Sequence, residues 1–179
     1  MTITAWVLGH GIWLSESELC RVHDRDASIA HCPTSNLFLG SGLFQLRLAK
    51  DKTRPIHVGL GTDIGAGTSF CQLATLNETY KVAALNAAPI GALEGFYLAT
   101  LGGARALDLD DRIGSLRAGR EADLMVLDPD ATPLLAFRNA RSRSIEEILF
   151  VLMMLGDDRA VRATYVAGQL AHRRQPVDA

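Results

Sequence analysis

The chain has 179 residues, 48% of them hydrophobic and 21% charged, with a formal net charge of −2. This is globular composition, with room for one domain or part of a larger one. The near-neutral balance gives no electrostatic reason to expect nucleic acid or an anionic membrane as partner.

Three cysteines, Cys20, Cys32 and Cys71, form no CxxC pair, which points to free thiols in a reducing, cytoplasmic setting. No apolar run reaches the ~18 residues of a membrane span. The opening MTITAWVLGHGIW lacks the basic start and small-residue cleavage site of a secretory signal. A strand-like run begins within three residues of Met1, the pattern expected of a chain that starts inside a domain.

Residues 3–9 (ITAWVLG) read as a short buried strand ending at His10. Ser15 with Glu18 three residues on makes a capping box, predicting a helix over about 15–24. Residues 27–30 (ASIA) form a second strand ending at His31, stopped by Pro33. Leu43, Leu46 and Ala49 give residues 41–50 helical spacing. Residues 56–62 (IHVGLGT) read as a third strand, ending at Asp63. Thr68 and Ser69 mark a helix start, and residues 69–86 carry Leu73, Leu76, Tyr80, Ala83 and Ala84 on one face.

Strand and helix thus alternate three times, and the strands are continuously apolar. That is the pattern of parallel βα units whose sheet is covered on both faces. Pro89 suits the start of a helix over about 90–100, and Gly102 and Gly103 are expected to break it. Beyond residue 110 the texture changes. A strand is predicted at 123–128, and an apolar helix at 144–155 is capped by Ser144 and Glu147 and closed by Gly156. Two short strands over 160–172 flank a turn at Ala167-Gly168. The expected organisation is α/β, with residues 1–110 as βα units and 111–179 as a small, mainly β portion with one helix.

In parallel βα architectures functional residues gather at the C-terminal ends of strands. Three successive strands here end in His10, His31 and Asp63. Such a set suits a divalent metal such as zinc or iron, with a nearby carboxylate to move a proton. The glycines after Asp63 are expected to let backbone come close to a ligand. His57 falls at the opposite end of its strand, and His23 and His172 lie in a helix and near the tail. Cys32 follows His31 and should face away from it, a poor Cys/His dyad. GAG at 65–67 is no phosphate-binding fingerprint, because neither GxGxxG nor a P-loop lysine accompanies it.

The segments HGIWLS (10–15), HCPTSNLFLGSGLF (31–44), GLGTDIGAGTSF (59–70), YLATLGGARAL (97–107) and IGSLRAGREADLMVLDP (113–129) resemble the C-terminal part of the guanine deaminase family, within the metal-dependent amidohydrolase superfamily. The resemblance covers essentially the whole chain. It implies the last three βα units of a (β/α)8 TIM-like barrel and part of a small β-sandwich.

By position, Asp63 would be a metal ligand and share in proton transfer. His10 would act in catalysis on the metal-bound water or the substrate, and His31 and Asn36 would shape the substrate pocket. The implied reaction is hydrolytic deamination of guanine to xanthine and ammonia by metal-bound hydroxide. One zinc or iron ion is implied, with its site incomplete in this chain: no HxH occurs, and Asp63 alone of the family's ligands would remain.

The expectation is therefore a fragment of a metal-dependent hydrolase, inactive alone, acting on a small purine in the intact enzyme. It would associate with itself or with a missing N-terminal half. The alternatives are another deaminase or chlorohydrolase of the superfamily, or a non-catalytic module that completes a split barrel.

Overall fold

The computed structural model describes residues 6–175. Residues 3–5 of the first expected strand lie outside them. Strand β1 (Val7–Gly9) leads to helix α1 (Glu16–Asp24), then β2 (Ser28–His31) and helix α2 (Pro33–Phe38). A single turn, α3 (Leu46–Ala49), precedes β3 (Val58–Leu60), and the long α4 (Gln72–Leu85) follows. The three strands pair in parallel in the order β1-β2-β3. Leu8 lies opposite Ile29, and Ile29 opposite Val58.

Local chemistry explains most boundaries. The Ser15 hydroxyl accepts from the Glu18 N–H, and the Glu18 carboxylate accepts from the Ser15 N–H at 2.8 Å, so the expected capping box starts α1. Pro33 stops β2 as expected. It also opens α2, which the sequence reading did not anticipate. Proline suits the first helical turn because its missing N–H would be unpaired there anyway. Residues 41–45 are not helical, since Gly42 has φ +125° and Phe44 is spent on the core.

Two further helices follow, α5 (Ala92–Ala99) and α6 (Leu101–Ala106). The break between them falls at Thr100, not at the glycines. The Thr100 hydroxyl donates back to the Phe96 carbonyl at 2.7 Å, and its backbone leaves helical geometry. Gly102 and Gly103 lie inside α6, and Gly102 with Gly59 lets the helix approach β3: a Cβ on Gly102 would sit 3.1 Å from the Val58 carbonyl oxygen. A Cβ on Gly59 would sit 2.8 Å from the Gly103 Cα.

The remainder holds a three-stranded antiparallel sheet in the order β4 (Leu124–Leu127), β5 (Val161–Val166), β6 (Gln169–Arg173). Ala167 and Gly168, both at positive φ, make the tight turn between β5 and β6. The sequence reading expected one helix here, and the structure has two. Helix α7 (Pro133–Asn139) is capped by Thr132, and α8 (Ile145–Leu155) by Ser144. Both α7 and α8 contribute to a core around Leu76, Leu135, Leu152 and Met153, shared with α4 and α5. A second core centres on Ile29, Phe44, Val58 and Leu98 under the parallel sheet.

His31 belongs to this second core. It is 1% exposed, its ring stacks on Phe44 with centroids 4.8 Å apart, and burial pushes its pKa down to about 3. β1 is different: Trp6, Val7 and Leu8 are exposed, and its outer edge carries no strand among the described residues.

Two predictions follow from this packing. Gly59→Ala drives a methyl into the backbone of α6 and should lower stability by about 1–3 kcal/mol. At Gly103 a Cβ meets only the Leu98 carbonyl, at an ordinary 3.6 Å. Gly103→Ala should therefore be neutral, or stabilising by up to ~1 kcal/mol through helix propensity. Urea unfolding of the two variants checks the asymmetry; an equal loss in both removes the close-approach explanation.

The second concerns acid. The unfolded chain takes up a proton at His31 near the ordinary 6.5, whereas the folded chain resists it down to about 3. Unfolding therefore binds protons in that window, and the His31 contribution to stability, complete above pH 6.5, is lost as pH falls. Between pH 7 and 5 the loss should be about 2 kcal/mol. His31→Phe should flatten that part of the pH dependence; an unchanged slope places the acid sensitivity elsewhere.

Candidate active site

The site is built on the C-terminal end of β2. The parallel ladder continues past the strand ends on both sides. The His10 N–H donates to the Ala30 carbonyl at 2.9 Å, and the Gly61 N–H donates to the His31 carbonyl at 2.9 Å. These bonds hold the segments carrying His10 and Asp63 beside β2. His10 and Asp63 both have left-handed backbone, φ 67° and 47°, an uncommon geometry for non-glycine residues. It turns the chain sharply where each strand ends.

Three of the residues expected from sequence meet here. His10 Nδ1 donates to Asn36 Oδ1 at 2.8 Å, and His10 Nε2 lies 3.7 Å from Asp63 Oδ2. The side chains of His10 and Asp63 keep 44% and 39% exposure, so both are open to a small molecule. Asn36 is only 2% exposed. It reaches His10 because α2 begins at the end of β2 and turns its first residues inward. The Thr34 hydroxyl ties the same helix to the Thr62 carbonyl, next to Asp63.

His31 does not join them at the surface, because it is packed against Phe44. Its Nδ1, with Ser35 Oγ and Asn36 Nδ2, is buried without a protein hydrogen-bond partner. Cys32 stands just before α2 without capping it, and its thiol donates to the Ala30 carbonyl. Burial pushes the Cys32 thiol up. The His10 backbone works against that shift, and the Asp63 carboxylate adds to it. A thiol held protonated is a poor nucleophile, in line with the sequence reading.

The glycines after Asp63 serve the backbone of the turn itself. A Cβ on Gly67 would collide with the Thr62 carbonyl oxygen, and the Gly67 N–H donates to the Asp63 carbonyl at 2.5 Å. The close approach is thus between two stretches of the chain's own backbone. Gly65 has open space around it and is required for its φ of +120°. The tight turn fixes where Asp63 projects.

Exposed aromatic residues also follow the strands: Trp13 (83%) and Phe70 (78%) on loops, and Phe38 at the last position of α2. The sequence reading did not single these out. The Trp13 indole is anchored, donating to the Ser41 carbonyl at 3.0 Å. Their only sequence signal was position in the segments that follow the strands.

Chemically, an imidazole and a carboxylate facing one space can hold a water and pass a proton. They do not make a metal site alone. Among the described residues no group of three or more His, Cys, Asp or Glu could hold an ion, whereas catalytic zinc takes about three protein ligands. A cavity of about 800 Å³ on the antiparallel sheet, lined by Val126, Asp128, Arg162 and Tyr165, is remote from this chemistry.

Comparisons with known proteins agree on one family. The chain is 53% identical over 168 residues to guanine deaminase of Escherichia coli (strain K12), covering 94% of this chain and 38% of that protein. A solved structure of E. coli guanine deaminase superposes with a TM-score of 0.91, covering 39% of that chain. Guanine deaminase from Bradyrhizobium japonicum superposes at 0.88 with 34% identity, covering 94% of this chain and 42% of that one. A zinc-bound adenosine deaminase from Xanthomonas campestris superposes at 0.77 with 27% identity, covering 92% and 36%. The chain spans about two fifths of the length of these relatives. The sequence pattern of the amidohydrolase family matches residues 2–171, and the chain belongs to that family.

Proposed function

We propose that the chain is the C-terminal portion of a guanine-deaminase-like aminohydrolase. The observation that carries the reading is its 53% identity to E. coli guanine deaminase across nearly its whole length. The meeting of His10 and Asp63 supports it. The three βα units are read as the end of a (β/α)8 barrel. Residues 1–110 supply those units, and 111–179 supply part of a small β-sandwich with helices that pack back on α4 and α5.

The reaction is hydrolysis at the amino-bearing carbon of guanine. Water oxygen bonds to that carbon, the carbon–nitrogen bond breaks, and the nitrogen leaves as ammonia with the water's proton. Asp63 and His10 are placed to hold the water and to move that proton. Asp63 would also be a ligand for one zinc or iron ion, a proposal supported by the zinc-bound relative. This chain's donors fall short of a complete site, so its remaining ligands must lie outside residues 6–175. Turnover by the chain alone is not expected.

A second reading keeps the architecture without catalysis, as a module that completes a barrel with another chain or pairs with itself in the cytoplasm. The exposed edge of β1 favours it. Light scattering on the purified chain separates the two: a monomer at all concentrations counts against self-pairing.

The activity is tested in a chimera that joins this chain to the N-terminal portion of the E. coli relative. Ammonia release from guanine should appear in the chimera and be absent from the chain alone. Asp63→Asn in the chimera should lower kcat by about 10²–10⁴-fold, the range of a lost acid–base group. A chimera that folds, deaminates adenosine derivatives and ignores guanine would replace the substrate assignment.

A further inference from the structure

We propose that Asn36 is a positioning residue: its side-chain carbonyl fixes the tautomer and direction of the His10 imidazole, so that Nε2 presents a lone pair toward Asp63. The proposal rests on the reading of His10 and Asp63 as the working pair. It departs from the expectation that Asn36 contacts the substrate.

Asn36 is buried and rigidly held. Its N–H donates to the Cys32 carbonyl at 3.0 Å, and its own carbonyl accepts from the Ser41 N–H at 2.8 Å. Its side chain makes one hydrogen bond, from Oδ1 to His10 Nδ1 at 2.8 Å. Nδ2 is buried with no protein partner. It is the amide oxygen that faces the ring, and an oxygen acceptor requires the proton on His10 Nδ1.

The distance on the other side of the ring agrees. With the amide reversed, its NH₂ would face Nδ1 and the ring proton would move to Nε2. An N–H facing a carboxylate closes to about 2.7–2.9 Å. His10 Nε2 and Asp63 Oδ2 are 3.7 Å apart, beyond hydrogen-bond reach. The Nε2–H···carboxylate bond that the reversed amide would bring is therefore absent.

The His10 backbone is pinned by its N–H bond to Ala30, so the bond to Asn36 sets where the ring points. A hydrogen bond at one imidazole nitrogen decides what the other can do. Here it leaves Nε2 and the Asp63 carboxylate converging on one space, suited to a group that donates to both, such as a water molecule. Without the carbonyl, Nε2–H would pair with Asp63 and occupy both groups.

The test is nitrogen-15 spectroscopy of the imidazoles in the labelled chain, at about pH 8, above the ordinary histidine titration. The chain has five histidines, and His10→Gln assigns the His10 signal. Wild type should show a pyrrole-type Nδ1 and a pyridine-type Nε2 at His10. Asn36→Asp keeps an oxygen acceptor and should preserve that signature. Asn36→Leu should switch it to Nε2–H or to a mixture of tautomers.

His23 serves as the internal control for folding, because its Nδ1 lies 2.9 Å from the Pro55 carbonyl, away from the site. An Nε2–H or mixed tautomer in wild type overturns the proposal. So does Asn36→Leu that keeps the Nδ1–H form with His23 unchanged. If Asn36→Leu loses the His23 signature, wild type and Asn36→Asp decide the matter alone. No step depends on deamination, so failure of the guanine assignment and failure of the Asn36 role are read separately.

Discussion

Every feature of the site depends on β2 being the central strand of the parallel sheet. Ile29 is fully buried at its middle. The ladder on either side extends past the strand ends, through Ala30 to His10 and through His31 to Gly61. A parallel strand offers its hydrogen bonds to both neighbours, so one buried strand can set the position of two loops at once. That is how a histidine and an aspartate 53 positions apart in sequence come within 3.7 Å.

Around this scaffold, polar side chains and glycines divide the work by burial. His10 and Asp63 keep solvent access. Asn36, one helical turn into α2, is buried and turned to His10. His31 has the same chemistry as His10, yet Phe44 and the surrounding core hold it neutral and inward. The glycines serve backbone geometry: Gly67 permits the turn behind Asp63, and Gly59 permits α6 to close on β3.

The parallel sheet also has an uncovered edge among the described residues. β1 presents Trp6, Val7 and Leu8 to solvent, where parallel sheets ordinarily bury their strands. The relatives are longer than this chain by a factor that leaves about three fifths of their length unmatched. Among the described residues the outer edge of β1 carries no strand, and no third metal-binding side chain joins His10 and Asp63.

Much of this was legible in the amino-acid order. Apolar runs ending in His10, His31 and Asp63 marked three parallel strands, and Ser15-Glu18 and Ser144-Glu147 marked two helix starts. Those are local signals, set by periodicity and by hydrogen bonds within one turn. Helix α7, the opening of α2 at Pro33 and the break at Thr100 were not legible. Each uses a proline or threonine whose local bond is compatible with more than one backbone course, so the residue alone did not single out the one taken. The same limit applies to the site. Sequence by itself determined which residues end the strands and which family they resemble. Only the tertiary structure decided that His31 turns into the core while Asn36 turns to His10. Burial and cross-strand distance are properties of packed neighbours, and no single segment contains them.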